Sequence, residues 1–355
     1  MRSIGIIGTA KNTGKTTTLS AILKSLNNKK VAVTGIGYDG EEIDNITLLP
    51  KPRLYFDKSV IVATAEKCIV NSEAGYRLIQ KTDIETSLGF VCIAEVTKPG
   101  LIVIAGPNRA SQLKELITII NELGRDYLLV DGSLNRISPM YLLDDLIFTT
   151  GGSRTTDISV LVDEMVTVEK IFTYPDSGFH ADNPSRGRIS NPSGGRISNI
   201  SAISFVSESG IVNAGLKTFI DQEDVKFLIG NIPGDCRQIV IPVFFSEAAI
   251  RGLMDYLNSN KKETGLILLS PVQLLLSADF ARLRDFIASL SGSSVRFSYM
   301  FKPVLKAITI NPFFPKLYNN IFVADYMDKE LFLKEMCDKL KTPVFNVEER
   351  LVSVS

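Results

Sequence analysis

The first 26 residues constrain this chain most, because an apolar run, a glycine–lysine–threonine turn and an amphipathic stretch follow one another there. Ile4–Ile7 is apolar throughout and predicts a buried strand, while the apolar residues of Thr16–Leu26 recur at helical spacing. Between them lies the sequence GTAKNTGKT, residues 8–16. A strand, a glycine-containing turn and a helix in this order are the setting of a phosphate-binding loop. The sequence therefore predicts a polyphosphate site directly after its first strand.

Each part of this loop has a role in holding phosphate. Gly14 allows a tight turn with inward N–H groups, and the N-terminus of the following helix adds donors and positive partial charge. Lys15 would reach the β- and γ-phosphates, and the Thr16 hydroxyl would ligate magnesium. The predicted phosphate-binding residues are Lys11, Asn12, Thr13, Gly14, Lys15, Thr16 and Thr17.

The loop departs from the pattern G-x-x-x-x-G-K-[ST] at one position. Thr9 stands at the first glycine of the pattern, and the nearest glycine, Gly8, is one residue early. The alternative is a strand-to-helix turn that contains Gly-Lys-Thr for structural reasons alone.

A magnesium site also needs a carboxylate at the carboxyl edge of a neighbouring strand. Asp131 ends the apolar run Tyr127–Val130, and Asp39 lies in the glycine-rich acidic loop that follows strand Val31–Thr34. We expect Lys15, Asp39 and Asp131 to be the catalytic residues, and Thr16, Asp39 and Asp131 to be the metal ligands. Asp39, or Glu41 or Glu42 beside it, would orient the attacking water, although a solvated turn and a structural strand-end cap are the alternatives.

Two further features bear on the nucleotide. Guanine-specific enzymes carry Asn-Lys-x-Asp after a strand, whereas the nearest segment here, residues 260–263, reads Asn-Lys-Lys-Glu and precedes a strand. ATP is therefore preferred over GTP. Lys11 is a second cation in the loop. The loop resembles that of cell-division and nitrogenase-type ATPases, in which a second lysine, at the position of Ala10 here, reaches the nucleotide of a partner subunit. Lys11, displaced by one residue, either has this role in a homodimer or is a solvated charge.

The rest of the chain predicts an α/β fold. Up to about residue 175, short β-branched runs alternate with amphipathic stretches, which predicts a doubly wound, mostly parallel sheet of the P-loop NTPase type. Residues 176–199 are rich in Pro, Gly, Ser and Arg and contain the tandem echo GRISN, which predicts a flexible linker. A smaller α/β domain over residues 200–355 is expected to follow, with Val225–Ile232 as one of its strands.

Composition excludes several other functions. Lys and Arg total 39 and Asp and Glu total 39, so no net charge attracts nucleic acid or a membrane surface. The single histidine and four scattered cysteines make a built-in zinc site or a histidine-based hydrolase an unfavourable interpretation. With no secretion signal, no membrane-spanning run and no paired cysteines, we expect a cytoplasmic protein.

Several segments together resemble one protein family. They are the loop at residues 8–16 and the runs at residues 32–41, 49–53, 63–65, 105–108 and 130–136, read as AVTGIGYDGE, LPKPR, ATA, AGPN and VDGSLNR. The set resembles the reactivase subunit associated with lysine 5,6-aminomutase, a small P-loop ATPase. The likeness covers roughly the first 150 residues, and the tandem linker repeat has no counterpart in it.

The resemblance implies an activity and two partners. The implied activity is Mg-ATP-driven reactivation of an adenosylcobalamin-dependent lysine or ornithine aminomutase, together with a MutS-related ATPase subunit. Two alternatives belong to other classes: an ATP-dependent ligase or synthetase resembling dethiobiotin synthetase, which would phosphorylate a bound substrate, and a cofactor-chaperone GTPase, which should display the His and Cys clusters that this chain lacks.

Overall fold

A computed structural model of the chain describes residues 1–37, 54–178, 202–216, 220–260, 264–318 and 321–347. The predicted mixed α/β fold with a large, mostly parallel sheet is confirmed. Nine strands form this sheet, in the order β18 (Val344–Asn346), β15 (Val304–Asn311), β9 (Asp145–Gly151), β1 (Arg2–Gly8), β8 (Tyr127–Ser133), β2 (Val31–Gly35), β4 (Ile61–Ala65), β6 (Gly89–Lys98) and β5 (Gly75–Thr86). All neighbouring strands from β18 to β4 run parallel, while β4–β6 and β6–β5 are antiparallel.

The elements before the middle of the chain are β1 (Arg2–Gly8), α1 (Lys15–Ser25), β2 (Val31–Gly35), β3 (Leu54–Phe56), β4 (Ile61–Ala65), α2 (Glu66–Val70), β5 (Gly75–Thr86), β6 (Gly89–Lys98), β7 (Gly100–Ile102), α3 (Ala110–Glu122), β8 (Tyr127–Ser133), β9 (Asp145–Gly151) and α4 (Ile158–Thr173). The middle elements are β10 (Ser204–Ser207), β11 (Gly210–Asn213), α5 (Gln222–Asn231), β12 (Cys236–Ile241), α6 (Glu247–Ser259), β13 (Gly265–Leu268), α7 (Pro271–Leu275), α8 (Phe280–Ser289) and β14 (Arg296–Tyr299). The last elements are β15 (Val304–Asn311), β16 (Phe313–Tyr318), β17 (Ile321–Tyr326), α9 (Lys329–Lys339) and β18 (Val344–Asn346).

The chain divides into two compact units, and the division differs from the predicted domain boundaries. The first unit combines Met1–Val162 with Val304–Ser355, and the second is Asp163–Pro303. Residues 304–355 join the first unit because β15 pairs in parallel with β9 from Val304 to Asn311, and β18 then pairs with β15. The second unit is thus an insertion between two neighbouring strands of the large sheet. Of the predicted linker 176–199, the part from residue 179 lies outside the described residues.

The second unit has its own five-stranded sheet, in the order β11-β10-β12-β13-β14. The expected strand at Val225–Ile232 is wrong, because helix α5 occupies Gln222–Asn231. Asp221 explains the difference: its side chain accepts hydrogen bonds from the N–H groups of Glu223 and Asp224, which is an N-cap that starts a helix despite the apolar run.

The core of the first unit forms where α1 packs on the large sheet. Leu19 and Ile22 of α1 are fully buried, as are Ile4 and Ile6 of β1. Burying each such side chain stabilises the fold by roughly 1.5–3 kcal/mol. The packing fixes the direction in which α1 leaves the loop, and so aims its N-terminus at the carboxyl edge of the sheet.

Candidate functional site

The loop between β1 and α1 has the geometry of an anion site. Asn12 and Gly14 have φ of 60° and 96°, so two loop residues adopt left-handed backbone conformations before the helix begins at Lys15. Gly14 is the N-cap of α1, and no side chain of the described residues caps this end of the helix. The first N–H groups of a helix lack partners within the helix, and without a side-chain cap they suit a bound anion.

Gly8, which fits the sequence pattern imperfectly, is needed for the position of Lys15. A Cβ added at Gly8 would lie 2.6 Å from Lys15 Cδ and 2.9 Å from Thr13 Oγ1. The aliphatic part of Lys15 therefore passes back across the end of β1, over the inside of the loop. Glycine at residue 8 provides the space that this path requires.

Asp131 is the carboxylate that the sheet brings to Lys15. In β8 it pairs with Ile6 of β1 and with Gly35 of β2, so it lies in the strand next to the loop, two residues before the strand ends. Its Oδ1 is buried and has no hydrogen-bond partner within the part of the chain that the structure describes. Burial raises the pKa of the Asp131 carboxyl, while the nearby Lys15 ammonium and the Gly132 N–H act in the opposite direction. An orphaned carboxylate oxygen in such a position suits a cation.

Mg²⁺ fits this donor set. It prefers oxygen ligands, keeps several waters and is commonly held by one or two protein oxygens together with phosphate. Thr16, the second residue of α1, and Asp131 supply a hydroxyl and a carboxylate. The unpartnered Oδ1 of Asp131 is the atom that a cation would satisfy.

On the other side of the loop, neutral side chains from β9 and β15 hold its backbone. Thr9 donates from Oγ1 to Thr150 Oγ1 at 3.1 Å, and the hydroxyls of Thr13 and Thr149 lie 3.1 Å apart. The Thr9 N–H also donates to the Thr149 carbonyl. Asn311 donates from Nδ2 to the Asn12 carbonyl at 3.0 Å. These contacts join the loop to the ends of β9 and β15.

A second group of backbone contacts surrounds Gly37, just beyond the carboxyl end of β2. The Gly37 N–H donates to the Pro107 carbonyl, and the Gly106 N–H donates to the Gly37 carbonyl. A Cβ added at Gly37 would lie 3.2 Å from Arg136 Nη1 and inside van der Waals contact with Asn108 Oδ1. Two segments of the family resemblance, residues 105–108 and 130–136, thus meet at the start of the acidic loop.

The predicted site residues divide into four groups. Lys15 interacts electrostatically with Asp131, and Gly14 and Thr16 flank Lys15 at the start of α1. Asn12 and Thr13 lie in the loop, where they contact Asn311 and Thr149. Lys11 and Thr17 also belong to this loop and the first turn of α1, where both are exposed. Asp39, with Glu41 and Glu42, lies outside the described residues.

Sequence reasoning missed Thr149, Thr150 and Asn311. The two threonines lie near the end of the apolar strand β9. The local sequence does not indicate that this strand pairs with β1. Asn311 is nearly 300 residues from Asn12 along the chain. The pair Asn311-Pro312 after a β-branched run was the one local signal that this strand ends in a polar contact.

Comparison with known proteins does not assign this arrangement to a group, since no family model, curated protein or solved structure matches the chain. Among the described residues, no helix has both the length and the apolar character needed to cross a membrane.

Proposed function

We propose that the protein is a P-loop nucleoside triphosphatase of the doubly wound α/β type, with Mg-ATP as its substrate. One observation supports this above all: Lys15 crosses the glycine at the end of β1 and acts electrostatically on Asp131, whose Oδ1 is buried without a partner. A lysine, an uncapped helix N-terminus and a strand carboxylate are the three parts that phosphoryl transfer in this class of enzyme requires.

Each residue then has a definite role. The loop N–H groups and Lys15 would hold the β- and γ-phosphates, and Lys15 would stabilise the negative charge that develops on them. Thr16 and Asp131 would hold Mg²⁺, which neutralises phosphate charge. Because the metal binds the ionised carboxylate, magnesium would lower the raised pKa of Asp131. Asp39 remains our proposal for the group that orients water.

The family resemblance extends the proposal to a client. Triphosphate binding and hydrolysis would drive reactivation of an adenosylcobalamin-dependent lysine or ornithine aminomutase, with a MutS-related ATPase as partner. A nucleotide drives such work through contacts that differ between its bound and released states.

Nucleotide binding tests the first part of the proposal. Calorimetry with Mg-ATP should give a saturable site, and Lys15→Ala should lower the affinity by about 10–100-fold or more, since hydrogen bonds to charged groups contribute about 1.5–3 kcal/mol each. Lys11→Ala, which removes an exposed lysine of the same loop, is the matched control and should have a smaller effect. Equal affinity of folded Lys15→Ala and wild-type protein would refute the site.

Hydrolysis in the presence of the client tests the second part. ATPase activity should rise when the aminomutase is added after its cobalamin has been inactivated, and not when the active enzyme is added. Transfer of phosphate to a small acceptor, seen by phosphorus NMR, would instead identify a ligase or synthetase.

A further inference from the structure

Asn311, the last residue of β15, contacts both the loop and the hairpin that follows it. Its Nδ2 donates to the Asn12 carbonyl at 3.0 Å, and its Oδ1 accepts from the Phe313 N–H at 3.2 Å. One side chain thus joins the phosphate loop to the first residue of β16. Both hydrogen bonds are partly buried, which makes each harder to replace with water.

The backbone of Asn311 is held in place by its contacts with the chain at the end of β9. The Gly152 N–H donates to the Asn311 carbonyl at 3.0 Å. A Cβ added at Gly151 would lie well inside van der Waals contact with the same carbonyl oxygen. Because the backbone is held, the Asn311 side chain has to rotate to follow a displacement of Asn12. This rotation also moves Asn311 Oδ1.

The peptide group that Asn311 contacts is also one that would face a phosphate bound in the loop. The Asn12 carbonyl and the Thr13 N–H belong to one trans peptide group, in which they point in opposite directions. Asn311 therefore turns the Thr13 N–H away from β15. A phosphate that accepts from this N–H would polarise the peptide group and strengthen the hydrogen bond to Asn311.

The β16–β17 hairpin is suited to respond to this change. It is a two-stranded sheet, an arrangement that is marginally stable by itself in water. Contacts at its base anchor it: Phe313 packs edge-on against Tyr326, and Ser153 Oγ donates to the Phe313 carbonyl. Its far part is exposed, with Leu317 and Tyr318 at 60% and 64% of their full accessible surface.

We propose that Asn311 is a positioning residue that transmits triphosphate binding from the loop to the β16–β17 hairpin. This inference rests on the proposed function, because it needs an anion in the loop. In the triphosphate-bound state the Asn12–Asn311–Phe313 connection tightens and the hairpin is stabilised. In the empty state the connection loosens and the hairpin opens more often.

Hydrogen exchange of the hairpin amides tests the transmission. We would compare wild-type protein with and without saturating Mg²⁺ and the non-hydrolysable ATP analogue AMPPNP. Amides of β16 and β17 should exchange on the order of fivefold more slowly in the bound state. In Asn311→Ala they should exchange at the same rate with and without the analogue, although calorimetry still detects binding.

Two further variants separate transmission from simple loss of stability. Asn311→Asp keeps the acceptor for the Phe313 N–H and loses the donor to Asn12, so its hairpin should stay protected and yet not respond to the analogue. Thr309→Val is the matched control. It removes the buried hydroxyl contact between β15 and Thr18 of α1, 2.9 Å long, and should leave the response intact.

Each outcome has a separate meaning. If the analogue binds wild-type protein and the hairpin amides do not change, or if they still respond in Asn311→Ala and Asn311→Asp, the inference is overturned and the proposed function stands. If Mg-AMPPNP does not bind wild-type protein at all, the proposed function and the inference fall together.

Discussion

The two sides of the loop between β1 and α1 differ in the kind of group that they contribute. On the β8 side lies an acidic residue, Asp131, and one of its oxygens is buried with no hydrogen-bond donor among the described residues. On the β9 and β15 side stand hydroxyls and an amide, Thr149, Thr150 and Asn311, and all three have hydrogen-bond partners. Both sides contact the same short loop.

The difference shows how such a site separates binding from preorganisation. A buried carboxylate oxygen without a hydrogen-bond donor destabilises the empty protein and would gain a partner from a bound cation. Satisfied neutral groups stabilise the empty protein and position the loop in advance. Substitution of Asp131 should therefore have the larger effect on the hydrolysis rate, and substitution of the threonines on the neutral side should mainly lower stability.

Of the substitutions that test this comparison, Asp131→Asn should have the largest effect, which is on the rate of hydrolysis. The amide keeps the shape of the side chain and loses the charge that a divalent cation needs, so Mg-dependent hydrolysis should fall by about 100-fold or more. Steady-state phosphate release at saturating ATP measures this. Retention of nearly full activity would mean that Asp131 does not ligate the metal and that the charged side has no catalytic role.

The same variant should have the opposite effect on stability. The pKa of Asp131 is raised in the folded protein, so its contribution to stability is fully present below the ordinary carboxyl pKa of about 4 and is lost as the pH rises through the higher folded value. Asparagine stays neutral throughout. Without nucleotide or magnesium, Asp131→Asn should have a higher free energy of unfolding than wild-type protein at pH 7, and the difference should shrink towards pH 4.

Urea unfolding at a series of pH values measures this difference. A variant less stable than wild-type protein at pH 7 would mean that the attraction between Asp131 and Lys15 outweighs the cost of burial. The charged side would then stabilise the empty protein, contrary to the comparison.

The smallest effect is expected from Thr149→Val on the neutral side. Valine preserves the shape and removes the hydroxyl that lies 3.1 Å from Thr13 Oγ1, while Thr13 keeps its hydrogen bond to the Ala10 carbonyl. Stability should fall by about 1 kcal/mol, with the hydrolysis rate within about threefold of wild type. A loss of hydrolysis larger than that of Asp131→Asn would reverse the roles of the two sides.

The residues of the charged side, on β8, could be predicted from the sequence. Most of the residues of the neutral side, on β9 and β15, could not. Lys15 and Thr16 lie in a motif only a few residues long, and Asp131 follows a recognisable buried strand, so local patterns were sufficient. Asn311 belongs to a strand that the sequence pattern assigned to the second domain. Nothing local indicates that this strand pairs with β9, because the inserted unit Asp163–Pro303 separates the two.

Two smaller differences have the same origin. Val225–Ile232 is apolar enough for a strand, yet the Asp221 cap starts a helix there. On α9, Leu331 is 46% exposed, whereas Phe332 and Met336, which are also apolar, are fully buried. The face of an apolar segment that becomes buried depends on the helices and strands that pack against it, and these are determined by the tertiary structure.

By itself the sequence determined the strand–loop–helix at the N-terminus, the lysine and threonine within it, and a carboxylate at the end of a later strand. These follow from backbone preferences and side-chain chemistry within a few residues. Tertiary structure alone decided that Lys15 passes over Gly8 towards Asp131, and that Asn311 supports the loop from β15. The order of strands in a sheet depends on hydrogen bonds and packing between segments that are distant in the chain. A local stretch of sequence therefore does not indicate which strands will pair.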